Sequence, residues 1–111
     1  MDLVDPILLY GYQNKMNNII EYLVKLRPEN EANRLMLFIN ENKNFNMFPN
    51  REQIWSSILI LANMRFDEIV ELTKFAKKDW RDVVIAAGLA VDDWESIVCK
   101  FHERYLSESG R

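Results

Sequence analysis

Four side chains near the C-terminal end supply donors of the kind that metal ions take: Glu95, Cys99, His102 and Glu103. They recur at i, i+4, i+7 and i+8, which gathers them along one side of a helix. Carboxylate, thiolate and imidazole are sound ligands for zinc or a similar ion. A closed zinc site takes four such ligands, commonly several of them cysteine, and this chain has one Cys and one His. Trp94, Val98, Phe101 and Tyr105 run beside the same stripe at core-like spacing, so Cys99 reads as a small core filler and His102 as a boundary residue. No metal is expected.

Bond-making chemistry finds still less to work with. A nucleophile needs a positioned base and an oxyanion site, and His102 is the sole histidine. Ser56 and Ser57 lie in an apolar segment and Ser96 in an acidic one. Asp79 with Asp82, or Asp92 with Asp93, could pair as acid and base, but all four are accounted for as helix caps and dipole partners. The three glycines stand far apart, so no loop is built to cradle a phosphate. The expectation is no catalytic residue, no cofactor and no enzyme.

A helix-turn-helix is the sharpest alternative, over residues 79–99. With Gly88 at the turn, Val83, Ala87, Leu89, Trp94 and Ile97 fall where such a motif needs apolar residues. Its second helix would offer Asp92, Asp93 and Glu95 to the DNA backbone, opposing the counterion release that drives binding. Nucleic acid is therefore a disfavoured partner.

The elements that must position these residues are helical. Phe66, Trp80 and Trp94 recur every fourteen residues, each followed three and four positions later by an aliphatic pair: Ile69-Val70, Val83-Val84, Ile97-Val98. That register reads as three short amphipathic helices, each anchored by an aromatic in its first turn. Phe66 to Lys77 forms the first, Trp80 to Ala87 the second with Asp79 as N-cap and Gly88 after its end, and Asp92 opens the third. A buried tryptophan removes about 150–250 Å² from water. On that footing Trp80→Ala and Trp94→Ala are each expected to cost about 3–5 kcal/mol.

Upstream, Asp5-Pro6 reads as a cap and first helical position, and Leu8, Tyr12, Met16, Ile19, Leu23 and Leu26 lie on one stripe of a long helix. Pro28 ends that helix and starts the next, whose stripe is Ala32, Leu35, Met36 and Ile39. Leu37 and Phe38 complete an apolar run that predicts cover on more than one side. Asparagine at 40, 42, 44, 46 and 50 marks a loop, interrupted by Phe45, Met47 and Phe48. Asn50 caps a further helix with Gln53 placed for a reciprocal bond, and Ile54, Trp55, Ile58, Leu59, Leu61 and Ala62 cover most of its circumference. Such a helix belongs in the middle of a domain.

The sum is an all-α, compact single-domain bundle over residues 1–111, of five or six helices: a long N-terminal helix and three short C-terminal ones around a central apolar helix. Length allows one domain, and 49% apolar residues allow a substantial core. A formal charge of −3 leaves no polybasic footprint for nucleic acid or anionic lipid. With Cys99 as the one cysteine, an acidic start and apolar runs as short as Ile58 to Ala62, a cytoplasmic protein without a membrane span is expected. By elimination the chain acts through protein–protein interaction, as an adaptor, inhibitor or immunity-type protein, or regulatory subunit. The partner is a basic protein or a second copy in a homodimer. Candidate contacts are Phe45, Met47 and Phe48 as apolar anchors, with Asp92, Asp93 and Glu95 as a steering acidic patch.

Overall fold

The computed structural model describes residues 15–42 and 51–109, in five helices and, among those residues, no strand. The expected helix starting at Pro6 is therefore seen from Lys15 onward, as α1 (Lys15–Val24); its earlier turns lie outside the described residues. Ile19, Ile20, Leu23 and Val24 are buried on α1, a stripe made by paired residues one turn apart. The helix tightens at its end, where the Leu26 and Arg27 amides donate to carbonyls three residues back.

Pro28 then opens α2 (Glu29–Asn42), its carbonyl accepting from the Ala32 amide at 2.8 Å. Glu29 and Glu31 occupy the first turn, where their charge complements the helix dipole. Leu35 and Ile39 face the core, and the Phe38 ring meets Trp55 and Phe66 edge-on, at 6.3 and 5.4 Å between centroids. Leu37, expected under cover, is 60% exposed. Asn40 and Asn42, read as loop, are helical instead. The Asn42 side chain donates to the Phe38 carbonyl and accepts from Lys77 Nζ, both at 2.9 Å, and these bonds extend the helix past the point where propensity alone would stop it.

In α3 (Arg51–Leu61) every residue from Ile54 to Leu59 is buried. The helix packs against α1, against α4 (Phe66–Ala86), where the contact is most extensive, and against α5 (Trp94–Ser109). Two of its buried side chains are hydroxyls. Ser57 Oγ donates to the Gln53 carbonyl at 2.8 Å, whereas Ser56 Oγ has no bond. The Gln53 side-chain amide donates to the Leu89 carbonyl; Asn50, its expected capping partner, lies outside the described residues.

The register of aromatics corresponds to two helices where three were expected, with one qualification. α4 runs through, but at Asp79 its backbone leaves the helical region (φ −151°, ψ 78°), at the residue assigned as a cap. Ile69, Thr73 and Ala76 are buried before this kink, and Val83 and Val84 after it. Thr73, whose hydroxyl would otherwise be stranded, donates to the Ile69 carbonyl at 2.7 Å. α5 is 16 residues long rather than short, and buries Val98, Cys99 and Phe101. It is tied to the first helix by His102, which stacks on Tyr22 at 3.8 Å, and to the α1–α2 connection by Tyr105, whose hydroxyl accepts from Arg27 Nη1 at 2.9 Å.

The radius of gyration, 13.2 Å, is what a compact domain of this length has, about 13 Å. The core, however, does not rest on the tryptophans of the register. Trp80 and Trp94 are only half-buried; Trp55, on α3, is 2% exposed. A half-exposed ring keeps part of its water contact in the folded state, so its removal forfeits less. Trp55→Ala should cost about 3–5 kcal/mol, and Trp80→Ala and Trp94→Ala about 1–3 kcal/mol each. Urea melts of the three variants check this order, and equal losses would contradict it.

Candidate interaction surface

α4 ends in a turn whose geometry follows from its sequence. Ala87 is the last residue near helical angles, and Gly88 swings to φ +78°, the left-handed region that glycine enters without a Cβ penalty. Two bonds close the motif: Gly88 N–H donates to the Ile85 carbonyl and Leu89 N–H to the Val84 carbonyl, each at 3.0 Å. Leu89, completely buried, plugs the turn into the core, and the Gln53 amide holds its carbonyl from α3. A bend and turn over residues 91–93 lead into α5, with the Ser96 amide donating to the Asp93 carbonyl at 3.0 Å.

The turn is thus fixed from within, while its outer side is apolar and acidic. Ile85 is 64% exposed and Val91 46%, with Ala86 and Ala90 also exposed. Asp92 and Asp93 follow directly and are exposed; Glu95 is half-buried in the first turn of α5. Of the six expected contact residues, these three are brought together at the start of α5. Phe45, Met47 and Phe48 lie outside the described residues. Ile85 and Val91 were missed by the sequence reading. The signal was present for Ile85, because three successive β-branched residues on a helix, Val83 to Ile85, span about 200° and cannot all face one core.

A second pair of carboxylates stands at the kink. Asp79 sits beside Asp82, and its negative charge, with a hydrogen bond between the two, raises the Asp82 pKa above the ordinary aspartate value.

Elsewhere, the residues weighed for chemistry are dispersed. Among the described residues no three of His, Cys, Asp and Glu are grouped to hold a metal ion. The buried Cys99 thiol donates to Glu103 at 3.8 Å, while His102 turns to Tyr22. Ser56 and Ser57 are fully buried. No helix among the described residues is long and apolar enough to cross a membrane. One hollow, of about 90 Å³, lies between α2 and the α3–α4 turn and is lined by Arg27, Glu31, Arg34, Leu35, Met64 and Phe66. Arg27 is bound there by Glu31, at 2.9 Å from Nε; that bond first, then Tyr105, raises its pKa further above an already high value.

No protein family, curated protein or solved structure matches this chain.

Gly88 and Asp82 give two expectations. A Cβ at Gly88 would meet nothing within 4 Å, so Gly88→Ala tests backbone strain alone and should cost about 1–2 kcal/mol in urea melts; an unchanged midpoint would mean the turn tolerates another conformation. For Asp82, a raised carboxylate pKa favours the protonated group in the folded state. Its stabilising share is full below the unfolded aspartate value and is lost as pH rises through the higher folded value. Asp82→Asn should therefore gain in melting temperature over wild type between acid and neutral pH. A difference independent of pH would rule out the Asp79 repulsion as its source.

Proposed function

We propose that this chain is a noncatalytic protein-interaction module, and that the α4–α5 turn from Ile85 to Asp93 is its contact surface. The observation that carries this reading is the pairing of exposed Ile85 and Val91 with a backbone locked from inside. Apolar side chains on a rigid turn can enter a partner's pockets with little ordering cost, which is the main reason preorganised surfaces bind well. Asp92 and Asp93 beside them favour a partner with basic residues around such pockets. An adaptor, an inhibitor or immunity-type protein, or a regulatory subunit acts in this way, and a cytoplasmic setting accords with the single cysteine. Phe45, Met47 and Phe48 belong to the same proposal as further apolar contacts. The finer architecture also belongs to it, with the apolar α3 at the centre as the frame that fixes the turn.

A DNA-binding role for residues 79–99 has the turn glycine in its favour and charge against it. Asp92, Asp93 and Glu95 would meet phosphates at the start of the second helix.

The test compares wild type with Ile85→Ser/Val91→Ser and with Asp92→Asn/Asp93→Asn as bait, after equal melting temperatures are established. Wild type should retain a protein partner, or elute at dimer mass. The serine pair should weaken that association by about tenfold or more. The asparagine pair should reduce its sensitivity to salt. Undiminished capture by the serine pair, or salt-dependent retention on DNA in place of a protein partner, would refute the assignment.

A further inference from the structure

The hollow beside α2 contains two guanidinium groups in different situations. Arg27 is committed: Nε and Nη2 donate to Glu31, and Nη1 to the Tyr105 hydroxyl. Arg34 forms none of the ion pairs among the described residues. Its guanidinium instead lies over the Phe66 ring, 4.1 Å from the centroid. That contact holds the cation in place and leaves its N–H groups available to a planar acceptor.

Size and charge narrow the ligand. At about 90 Å³ the hollow is far smaller than a cofactor pocket, which occupies about 300–1,000 Å³. Two guanidinium groups and the Glu31 carboxylate leave one positive charge in excess, suited to a monoanion. Of the remaining wall, Leu35 and Met64 are buried and form its floor, and the half-buried Phe66 presents open apolar surface, so part of the ligand is apolar. Met64 is held at φ 65°, a conformation that a bulky residue seldom adopts, with its side chain 1% exposed. The bonds of the α3–α4 turn and the burial of its side chain fix it there, so this part of the wall is preformed.

We propose that the hollow binds a monocarboxylate carrying a short apolar group, with Arg34 as the bidentate donor and the apolar group against Phe66, over the floor made by Leu35 and Met64. The carboxylate belongs either to a free acid or to the C-terminus of a peptide, and the chemistry at Arg34 is the same in both.

The full chain, labelled with ¹⁵N, is titrated with sodium propionate against sodium chloride at matched ionic strength. Saturable shifts are expected at Arg34 Nε–H and at the Leu35 and Met64 amides. Arg34 is exposed and outside the ion pairs, so Arg34→Gln gives up only its contact over Phe66 and should lower the melting temperature by no more than about a few degrees, while weakening the response by about tenfold or more. A hydrophobic tripeptide and its C-terminal amide then separate the sources. Tighter binding of the free peptide than of propionate assigns the ligand to a chain terminus, and the reverse order to a free acid; either upholds the carboxylate site. Linear shifts, shifts matched by chloride, an unaltered response in Arg34→Gln, or tighter binding of inorganic phosphate would each overturn it.

Discussion

The burial of α3 is the constraint on which the rest of the structure depends. Six successive residues, Ile54 to Leu59, are out of water, and in an α-helix six residues pass through more than one full turn. No side of such a segment can face solvent, so neighbours must close around it. α1, α4 and α5 do so, and each turns an apolar stripe toward it. Two of the enclosed residues are serines. Ser57 satisfies its hydroxyl one turn back on its own helix, which lets a polar group enter the core without help from another element. The other polar tie runs outward: Gln53, a turn before Ser57, reaches the carbonyl of Leu89 and so couples α3 to the distant α4–α5 turn.

Both helix ends that point the chain back toward this core use one device. After α3 the Asn63 and Met64 amides donate to the carbonyls of Ile60 and Leu59; after α4 the Gly88 and Leu89 amides donate to those of Ile85 and Val84. In each case the second residue past the cap is buried, Met64 at 1% and Leu89 at 0% exposure. The two differ in backbone chemistry. Glycine takes the left-handed position in the second, while in the first Asn63 and Met64 both stand at positive φ. Left-handed backbone costs a side-chain-bearing residue about 1–2 kcal/mol, against about 1.5–3 kcal/mol from burying a side chain the size of methionine. With two residues at positive φ the summed cost is comparable to that gain, and the two carbonyl bonds of the turn act together with the burial of Met64 to hold the conformation.

Features fixed by local chemistry were legible in the sequence. Pro28 between two helices, the break at Asp79 and the left-handed Gly88 each follow from what one residue's backbone permits. The all-helical class followed from spacing. What the spacing could not supply was how far each face is covered. Phe66 and Trp94 are the first residues of their helices and Trp80 follows the kink, so none has a full preceding turn to shelter it, and all three are half-buried. Four of the six aliphatic residues three and four positions on are better enclosed: Ile69, Val83, Val84 and Val98 are buried, while Val70 and Ile97 are half-buried. Trp55 looked like one apolar residue among many, and only its enclosure in the folded core, with Phe38 of α2 edge-on to it, makes it the buried ring. Similarly, the bonds of Gln53 to Leu89 and Lys77 to Asn42 span more than thirty residues, a separation at which no local pattern is informative.

The proposed contact surface divides into residues that folding explains and residues that it does not. Asp92, Asp93 and Glu95 stand at the start of α5, where negative charge near the helix dipole stabilises by about 0.3–1 kcal/mol each. Their presence would be expected in a protein with no partner at all. Ile85 and Val91 are different, because a large aliphatic side chain 64% or 46% exposed contributes less to the folded state than a buried one. Nor does the turn need them: its backbone is closed by Gly88 and Leu89, and its inward anchor is Leu89 alone. Substituting either by serine leaves those bonds in place. The two aliphatic side chains are therefore what a proposed partner would account for; the carboxylates beside them set the sign of the surface without explaining why it is exposed.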